Sequence, residues 1–329
     1  MKKESPDSTN LPTIEEIKQA QQLVYAVMPP TPQFAWPLLA ERFGAEVWVK
    51  HENHTPTGSF KARTAVVYTA ELFRGTNPPT GLVTATRGNH GQSVALAASR
   101  FKVPAHVVVP RGNSVEKNAA MRAQGAEVIE LGSDFQESKE HAQALAERHG
   151  WHFVPSFHRD IVKGVATYWL EFFSVLPNLD VVYVPIGLGS GIASCCAVRN
   201  GMKLNAKIVG VVAEGAPAYA LSFQAGCKVE APVTTVLADG IACRSPDDAA
   251  LRIVLENVDR IVRVSEEEIR LAMKIYFTDT HNVVEGAGAA ALAAALKEKD
   301  ALRQKQVGLV ATGGNVDHDV FARVLLDRV

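Results

Sequence analysis

The chain has 329 residues, 47% hydrophobic and 21% charged, which is enough for two lobes around a sizeable globular core. With 34 lysines and arginines against 35 aspartates and glutamates, the formal charge is −1 and no long basic block stands out, so nucleic acid is not expected as a partner. No run of about eighteen apolar residues is present, so no membrane span is expected either.

The first ten residues, MKKESPDSTN, are polar and are expected to stay disordered. Their basic pair has no apolar run behind it, so no secretory signal is expected. Thr13 and Glu16 then make a capping box, and the spacing predicts an amphipathic helix to about Val27, where MPPTP breaks it. From there strand-like and helical segments alternate. The strand-like runs are AEVWVK, GLVTAT, AHVVVP, AEVIEL, HFVPS, DVVYVPI, AKIVGVVAE, RIVRVS and QVGLVAT. Helical stretches between them include NHGQSVALAASRF, SVEKNAAMRAQG, DFQESKEHAQALAERHG and EEEIRLAMKIYFTDT. Short, nearly continuous apolar strands between helices predict an α/β fold with open, mostly parallel sheets and helices on both faces. No repeat, low-complexity stretch or flexible linker divides the chain, so two lobes must share strands or cross back. Cys195, Cys196, Cys227 and Cys243 fit neither a zinc knuckle nor a disulfide framework, and are read as reduced thiols of a cytoplasmic protein.

Ligands of open α/β sheets sit beyond the carboxyl ends of strands, and the informative turns lie there. In TATRGNHGQS, Gly88 follows a strand while Asn89 and His90 open a helix, whose free amides attract an anion. In VPIGLGSGIA, Gly187, Gly189 and Gly191 let backbone amides approach a phosphate closely. The spacing is G-x-G-x-G, not G-x-G-x-x-G; with Glu214 after the next strand it leaves a dinucleotide as a weaker alternative. In VGLVATGGNVD, Thr312 offers a hydroxyl at a strand end before Gly313, Gly314 and Asn315. Finally HENHTPTGSFKARTA sets Lys61 behind a Gly-Ser turn. Singly, each reads equally as a capped turn, and Lys61 as a surface charge. Together they match pyridoxal phosphate, which has a phosphate to cradle, a ring nitrogen, a phenolic oxygen and an aldehyde that condenses with a lysine amine. A nicotinamide cofactor would have no need of the lysine.

The ordered set TGSFKAR, TRGNHGQS, VPIGLGSGI, ADGIA, VEGAGAAA and ATGGNVD resembles the fold-type II pyridoxal-phosphate enzymes, in the branch of serine/threonine dehydratases and serine racemases. The resemblance spans about residues 20–325. HENHTPTG together with VPIGLGSGI also resembles dehydratases of hydroxyectoine breakdown. It implies that Lys61 carries the cofactor and acts as base at Cα, with Phe60 against the ring. Asn89 is implied at the phenolic oxygen, Thr312 at the ring nitrogen, and Gly240 near the ring. Gly187, Leu188, Gly189, Ser190 and Gly191 would hold the phosphate. Glu285 would lie by the substrate, and Ser59, Thr86, Arg87, Asn89 and His90 around it. The implied architecture is a small lobe, residues 82–157, inserted into a large lobe of residues 1–81 and 158–329, with a homodimer as the assembly. The resemblance reaches almost to Val329, so a C-terminal effector-binding domain is not expected.

The implied reaction is loss of water from a β-hydroxy-α-amino acid, L-threonine or L-serine, to give a 2-oxo acid and ammonia. A desolvated amine of lowered pKa suits Lys61 for proton removal. A neutral hydroxyl at Thr312 does not keep the ring nitrogen protonated as a carboxylate would, which favours prompt loss of the leaving group. The chain departs from the pattern at Arg87, where relatives carry Ser or Ala. An arginine stays charged and shuttles protons poorly, which argues against a racemase, but it binds carboxylates bidentately. That opens a specialised alternative, 3-hydroxyaspartate or a hydroxyectoine-derived amino acid. Leu188 and Ser190 replace glycines of the common phosphate run. Ala220 stands where metal-activated relatives place an aspartate after Glu214, so no essential metal is expected. His51 and His54 are read as a packed or solvated pair. A nicotinamide-dependent dehydrogenase and a non-catalytic cofactor-binding protein complete the alternatives.

Overall fold

The computed structural model describes residues 11–327; the N-terminal segment expected to be disordered lies outside the described residues. Helix α1 (Ile14–Tyr25) begins on the expected capping box, with Glu16 N–H donating to the Thr13 hydroxyl and Thr13 N–H to Glu16 Oε2 at 2.8 Å. It stops two residues short of Val27, ahead of the Pro29-Pro30 pair. Strand β1 (Gln33–Ala35) and helix α2 (Pro37–Phe43) follow, and Gly44 at φ +59° closes α2 in the left-handed region. Then come β2 (Glu46–His51) and α3 (Lys61–Phe73). The chain next builds β3 (Leu82–Ala85), α4 (Asn89–Arg100), β4 (Ala105–Val109), α5 (Val115–Ala123), β5 (Ala126–Glu130), α6 (Phe135–His149) and β6 (His152–Phe153). It returns through α7 (Arg159–Val175), β7 (Val181–Pro185), α8 (Ser190–Gly201), β8 (Lys207–Ala213) and α9 (Ala218–Ala225). The last part holds α10 (Asp248–Asn257), β9 (Arg260–Val264), α11 (Glu266–Thr280), α12 (Gly286–Lys297), β10 (Gln306–Ala311) and α13 (His318–Leu325).

Two sheets result. One has the order β1-β2-β10-β7-β8-β9, parallel except for the β1–β2 pair; the other, β5-β4-β3-β6, is wholly parallel. Every strand-like run of the sequence is a strand. The one addition is β1, three partly exposed residues behind prolines, whose existence depends on pairing with β2 rather than on local pattern. Helices cover both faces, and the pleat sorts side chains between them. Val181 and Tyr183 of β7 pack into one cluster with α11 and α12, while Val182 and Val184 face the other with α7 and α8. Such buried valines each add roughly 1.5–3 kcal/mol of transfer free energy. Among the described residues, no helix is long and apolar enough to cross a membrane.

The four-stranded sheet is made entirely between β2 and β7 of the larger one. Helices α3 and α7 carry the chain out and back, and they cross closely: a Cβ on Gly164 would sit 2.5 Å from the Arg63 carbonyl oxygen. Lys61 therefore starts the helix at the junction of the two sheets. The turns after β2, β3, β7 and β10 all leave carboxyl ends of strands, and they carry the residues singled out above.

Candidate active site

The turn of residues 55–60 fixes where α3 begins. Thr55 Oγ1 accepts from Ser59 N–H at 2.9 Å and donates to the Ser59 carbonyl at 2.6 Å. Phe60 N–H donates to the Thr312 carbonyl at 3.0 Å, and Gly314 N–H to the Gly58 carbonyl at 2.9 Å. Glu285, the N-cap residue of α12, donates its own N–H to the Gly313 carbonyl at 3.0 Å. Backbone bonds thus lock the turns carrying Lys61, Thr312 and Glu285 together. Gly313 permits this approach, since a Cβ there would meet Glu285 Oε1 at 2.5 Å.

Asn89, first residue of α4, closes the ring from the other sheet. Its Nδ2 donates to Glu285 Oε1 at 2.7 Å, and its Oδ1 accepts from Asn315 Nδ2 at 2.8 Å. Thr86 Oγ1 accepts from Gly88 N–H at 3.0 Å and shapes the start of the same helix. Lys61 Nζ lies 5.0 Å from the Phe60 ring centroid. Burial pushes Lys61 down to about 8, with Glu285 pulling the other way. Burial pushes Glu285 up to about 7, against the pull of Lys117, Asn89 and Lys61 and with the push of Asp239. Burial and the Lys61 charge hold His90 near 3, so its ring is neutral.

Lys117 is a site neighbour that the sequence did not reveal. It reaches from α5 to Asp239 in an ion pair of 2.7 Å, and although burial opposes its charge, Asp239 and Glu285 raise its pKa. In sequence it is one cation among several on an amphipathic helix; only the tertiary fold brings it to Glu285.

The turn after β7 is a second focus. Gly189 caps α8 at φ +100°, which an L side chain adopts only with strain, and a Cβ there would lie 2.5 Å from Ala250 Cβ. A Cβ on Gly187 would lie 2.8 Å from the Gly240 carbonyl oxygen, so the 3₁₀ turn of Asp239–Ile241 presses against this loop. The Leu188 carbonyl accepts from Tyr219 Oη at 3.2 Å. The amides of Gly187, Leu188 and Gly189 donate no hydrogen bond among the described residues, and those of Ser190 and Gly191 lie in the first turn of α8.

Among the described residues, Ser59 Oγ is fully buried without a partner, and neither ring nitrogen of His90 makes a well-formed hydrogen bond. Orphaned buried polar atoms cost about 1–3 kcal/mol each, a cost relieved when a ligand pairs with them. Free amides at a helix start, an unpaired hydroxyl and a lysine near 8 fit the phosphate-bearing aldehyde expected from the sequence.

Arg87 is not drawn into this network. It is exposed, its guanidinium has no partner among the described residues, and its carbonyl accepts from Asn113 Nδ2 at 3.2 Å. Glu214 pairs with Lys297 at 3.8 Å on the surface. His51 is buried and packs 5.2 Å from the His54 ring; its Nε2 accepts from the Trp36 indole at 3.0 Å, and burial holds it near 4. All four cysteines are free, with Cys195, Cys196 and Cys243 buried and Cys227 exposed.

Comparison with known proteins agrees with this geometry. The family described as pyridoxal-phosphate dependent enzyme matches residues 25–313. An L-threonine ammonia-lyase of Thermotoga maritima is 37% identical over 314 residues, which is 95% of this chain and 78% of that protein. An L-threo-3-hydroxyaspartate ammonia-lyase of a Pseudomonas species is 32% identical over 296 residues, 90% of this chain and 92% of that one. The processed threonine deaminase isoform 2 of Solanum lycopersicum superposes with a TM-score of 0.86 at 28% identity, covering 98% of each chain. A buried lysine of lowered pKa, undonated amides before α8 and a match over most of the chain lead to one conclusion: the chain belongs to the pyridoxal-phosphate-dependent enzymes of fold type II.

Proposed function

We propose that the chain is a dehydratase that removes water from a β-hydroxy-α-amino acid, L-threonine or L-serine, and yields a 2-oxo acid and ammonia. The observation that carries this reading is Lys61, an amine lowered to about 8 by burial and set among Ser59, Asn89, Glu285 and Thr312. Bound here, pyridoxal phosphate supplies an aldehyde that joins amines and a ring that acidifies the substrate Cα. Lys61 would hold that aldehyde and would serve as the base toward the substrate Cα, since an amine lowered to about 8 gives up its own proton far more readily than an ordinary lysine. Phe60 and Gly240 would flank the ring. The amides of residues 187–191 and the start of α8 hold the phosphate. Asn89 keeps one N–H for the phenolic oxygen, because Glu285 takes the other. Thr312 meets the ring nitrogen with a neutral hydroxyl. Glu285, near 7, can hold or release a proton beside the substrate. Ser59, Thr86, neutral His90 and the main-chain amide of Asn89 hydrogen-bond the α-carboxylate. Residues 82–157 form the small lobe and close on the substrate over residues 1–81 and 158–329, which excludes water. The working form is a cytoplasmic homodimer.

A specific observation favours a second substrate class. Among the described residues the Arg87 guanidinium is exposed and has no partner, immediately before Gly88 and Asn89, where it can clamp a second carboxylate. 3-Hydroxyaspartate, the substrate in the name of the Pseudomonas relative, has one, and a hydroxyectoine-derived amino acid is the related option. The deciding experiment is a panel: 2-oxo acid release from threonine, serine and 3-hydroxyaspartate, run beside the visible absorbance of the cofactor-loaded protein. A protein that shows no visible band as purified and gains none on adding pyridoxal phosphate ends the reading, and release from none of the three ends the dehydratase assignment.

A further inference from the structure

Side-chain amides look alike at both ends, so their orientation follows from partners that have no choice. Here one partner is the main-chain carbonyl of Thr57, which can only accept. Asn315 Nδ2 donates to it at 2.8 Å, which fixes which end of the Asn315 amide is nitrogen. The second N–H of that nitrogen goes to Asn89 Oδ1, also at 2.8 Å. Asn89 must then turn its own nitrogen toward Glu285, as it does at 2.7 Å. Donors therefore run one way from Asn315 through Asn89 to the carboxyl of Glu285, and the Thr57 carbonyl in the turn before Lys61 anchors the start by accepting the other Asn315 N–H. Gly58 makes room for it, since a Cβ there would lie 2.5 Å from Asn315 Oδ1.

We propose that Asn315 is a positioning residue that locks the Asn89 amide with its N–H side toward Glu285 and the cofactor's phenolic oxygen. The inference rests on the role given to Asn89 above. Without Asn315, Asn89 depends on Glu285 alone for its orientation. An ionised Glu285 accepts only and keeps the amide in place. A protonated Glu285 can donate, and then tolerates Asn89 turned over. Facing Glu285 are Lys61 of α3, Asn89 of α4, Lys117 of α5 and Asp239 of the 3₁₀ turn, and together with burial they bring its titration to about 7.

The test reads cofactor binding rather than turnover. Wild type, Asn89→Ala, Asn315→Ala and Asn315→Asp, each checked for folding by circular dichroism, are titrated with pyridoxal 5′-phosphate on both sides of about pH 7. Dissociation constants and visible spectra are recorded. Asn315→Asp replaces a donor by an acceptor and pulls the Asn89 nitrogen away from Glu285. It should weaken cofactor binding about tenfold and displace the visible band at every pH, roughly one lost hydrogen bond. Asn315→Ala should lose little above pH 7 and progressively more below it, and adding Glu285→Gln to Asn315→Ala in a double variant, compared with Glu285→Gln alone, should abolish that pH dependence. Affinity within about twofold of wild type and an unchanged spectrum in both Asn315 variants, with Asn89→Ala impaired, overturns the proposal. An Asn315→Ala loss that is equal at all pH values also overturns it, since it marks a packing role. If Asn89→Ala binds normally, the role of Asn89 in the functional reading falls first, and this inference with it.

Discussion

Two buried polar clusters lie only two residues apart along α3, and they are built on opposite principles. Arg63 and Glu52, both wholly buried, pair at 2.8 Å; Arg63 also pairs with Glu171 at 2.6 Å, as does Lys50 at 2.6 Å. Thr31 and Thr167 satisfy remaining groups of this tetrad, Thr31 by donating to Glu52 at 2.6 Å and Thr167 by accepting from Arg63 at 3.0 Å. Two cations balance two carboxylates. Burial works against the charge on Glu171, but Arg63 and Lys50 outweigh it and hold its pKa below the usual range. Around Lys61 the opposite holds. The amine is pushed down, the Glu285 carboxyl is pushed up, and Ser59 Oγ has no partner among the described residues. A structural cluster completes its own bonds; a binding site leaves them for a ligand.

The sharpest way to break this contrast is to remove one member from each side. Lys61→Ala should abolish the visible band given by added pyridoxal phosphate, and with it 2-oxo acid release, while leaving the fold intact. A variant that keeps the band refutes Lys61 as the attachment point. Arg63→Ala leaves two carboxylates buried beside a single lysine, and breaking such a pair costs about 3–5 kcal/mol. Urea unfolding should show a large drop in midpoint. Arg63→Lys should recover only part of it, because lysine lacks the fork that meets Glu52 and Glu171 together. An unchanged midpoint for Arg63→Ala would mean that the tetrad is not the anchor described here.

The same contrast explains what the sequence could reveal. Strands and helices were legible because β7 and β8 are continuous apolar runs and α1 and α11 carry capping boxes. The site turns were legible because glycines follow strands at fixed places. Pairing that depends on distant chain was not: β1 exists only beside β2, and Lys117 matters only because α5 brings it to Asp239 and Glu285. Glu52 and Glu171 of the tetrad are ordinary polar residues in sequence, 119 positions apart (171 − 52), and no local rule joins them. The motif TGSFKAR gave Lys61, but not the fact that Arg63 serves the opposite purpose.

A smaller effect sharpens the comparison through pH. The folded Glu285 carboxyl titrates near 7 rather than 4.5, so the cofactor-free protein binds more protons than its unfolded chain between those values. The contribution of this group is fully present below about pH 4.5 and is lost as pH rises through 7. The cost of ionising it amounts to about 3 kcal/mol. Glu285→Gln removes that titration. The variant should gain on wild type as pH rises from about 5 to 8, in paired urea curves of the cofactor-free proteins. Lys61, lowered from 10.5 to about 8, acts in a separate window: its burial costs stability as pH falls from 10.5 toward 8. A Glu285→Gln difference that does not vary with pH would place this carboxyl among the satisfied groups, alongside Glu171.

The smallest expected effect concerns Arg87, which belongs to neither cluster. It is exposed and unpaired, so its removal should leave stability unchanged within about 0.5 kcal/mol. Its worth appears only against a substrate that brings a second carboxylate. One charge-assisted hydrogen bond contributes about 1.5–3 kcal/mol, so Arg87→Ser should lower kcat/KM for 3-hydroxyaspartate roughly tenfold or more. Activity on serine and threonine should change far less, because neither has a group for Arg87 beyond the α-carboxylate. Equal losses on all three would instead assign Arg87 to that shared carboxylate. No loss on any would leave it a solvated charge beside Gly88, and the selection between threonine and 3-hydroxyaspartate would then rest with Ser59, Asn89 and His90.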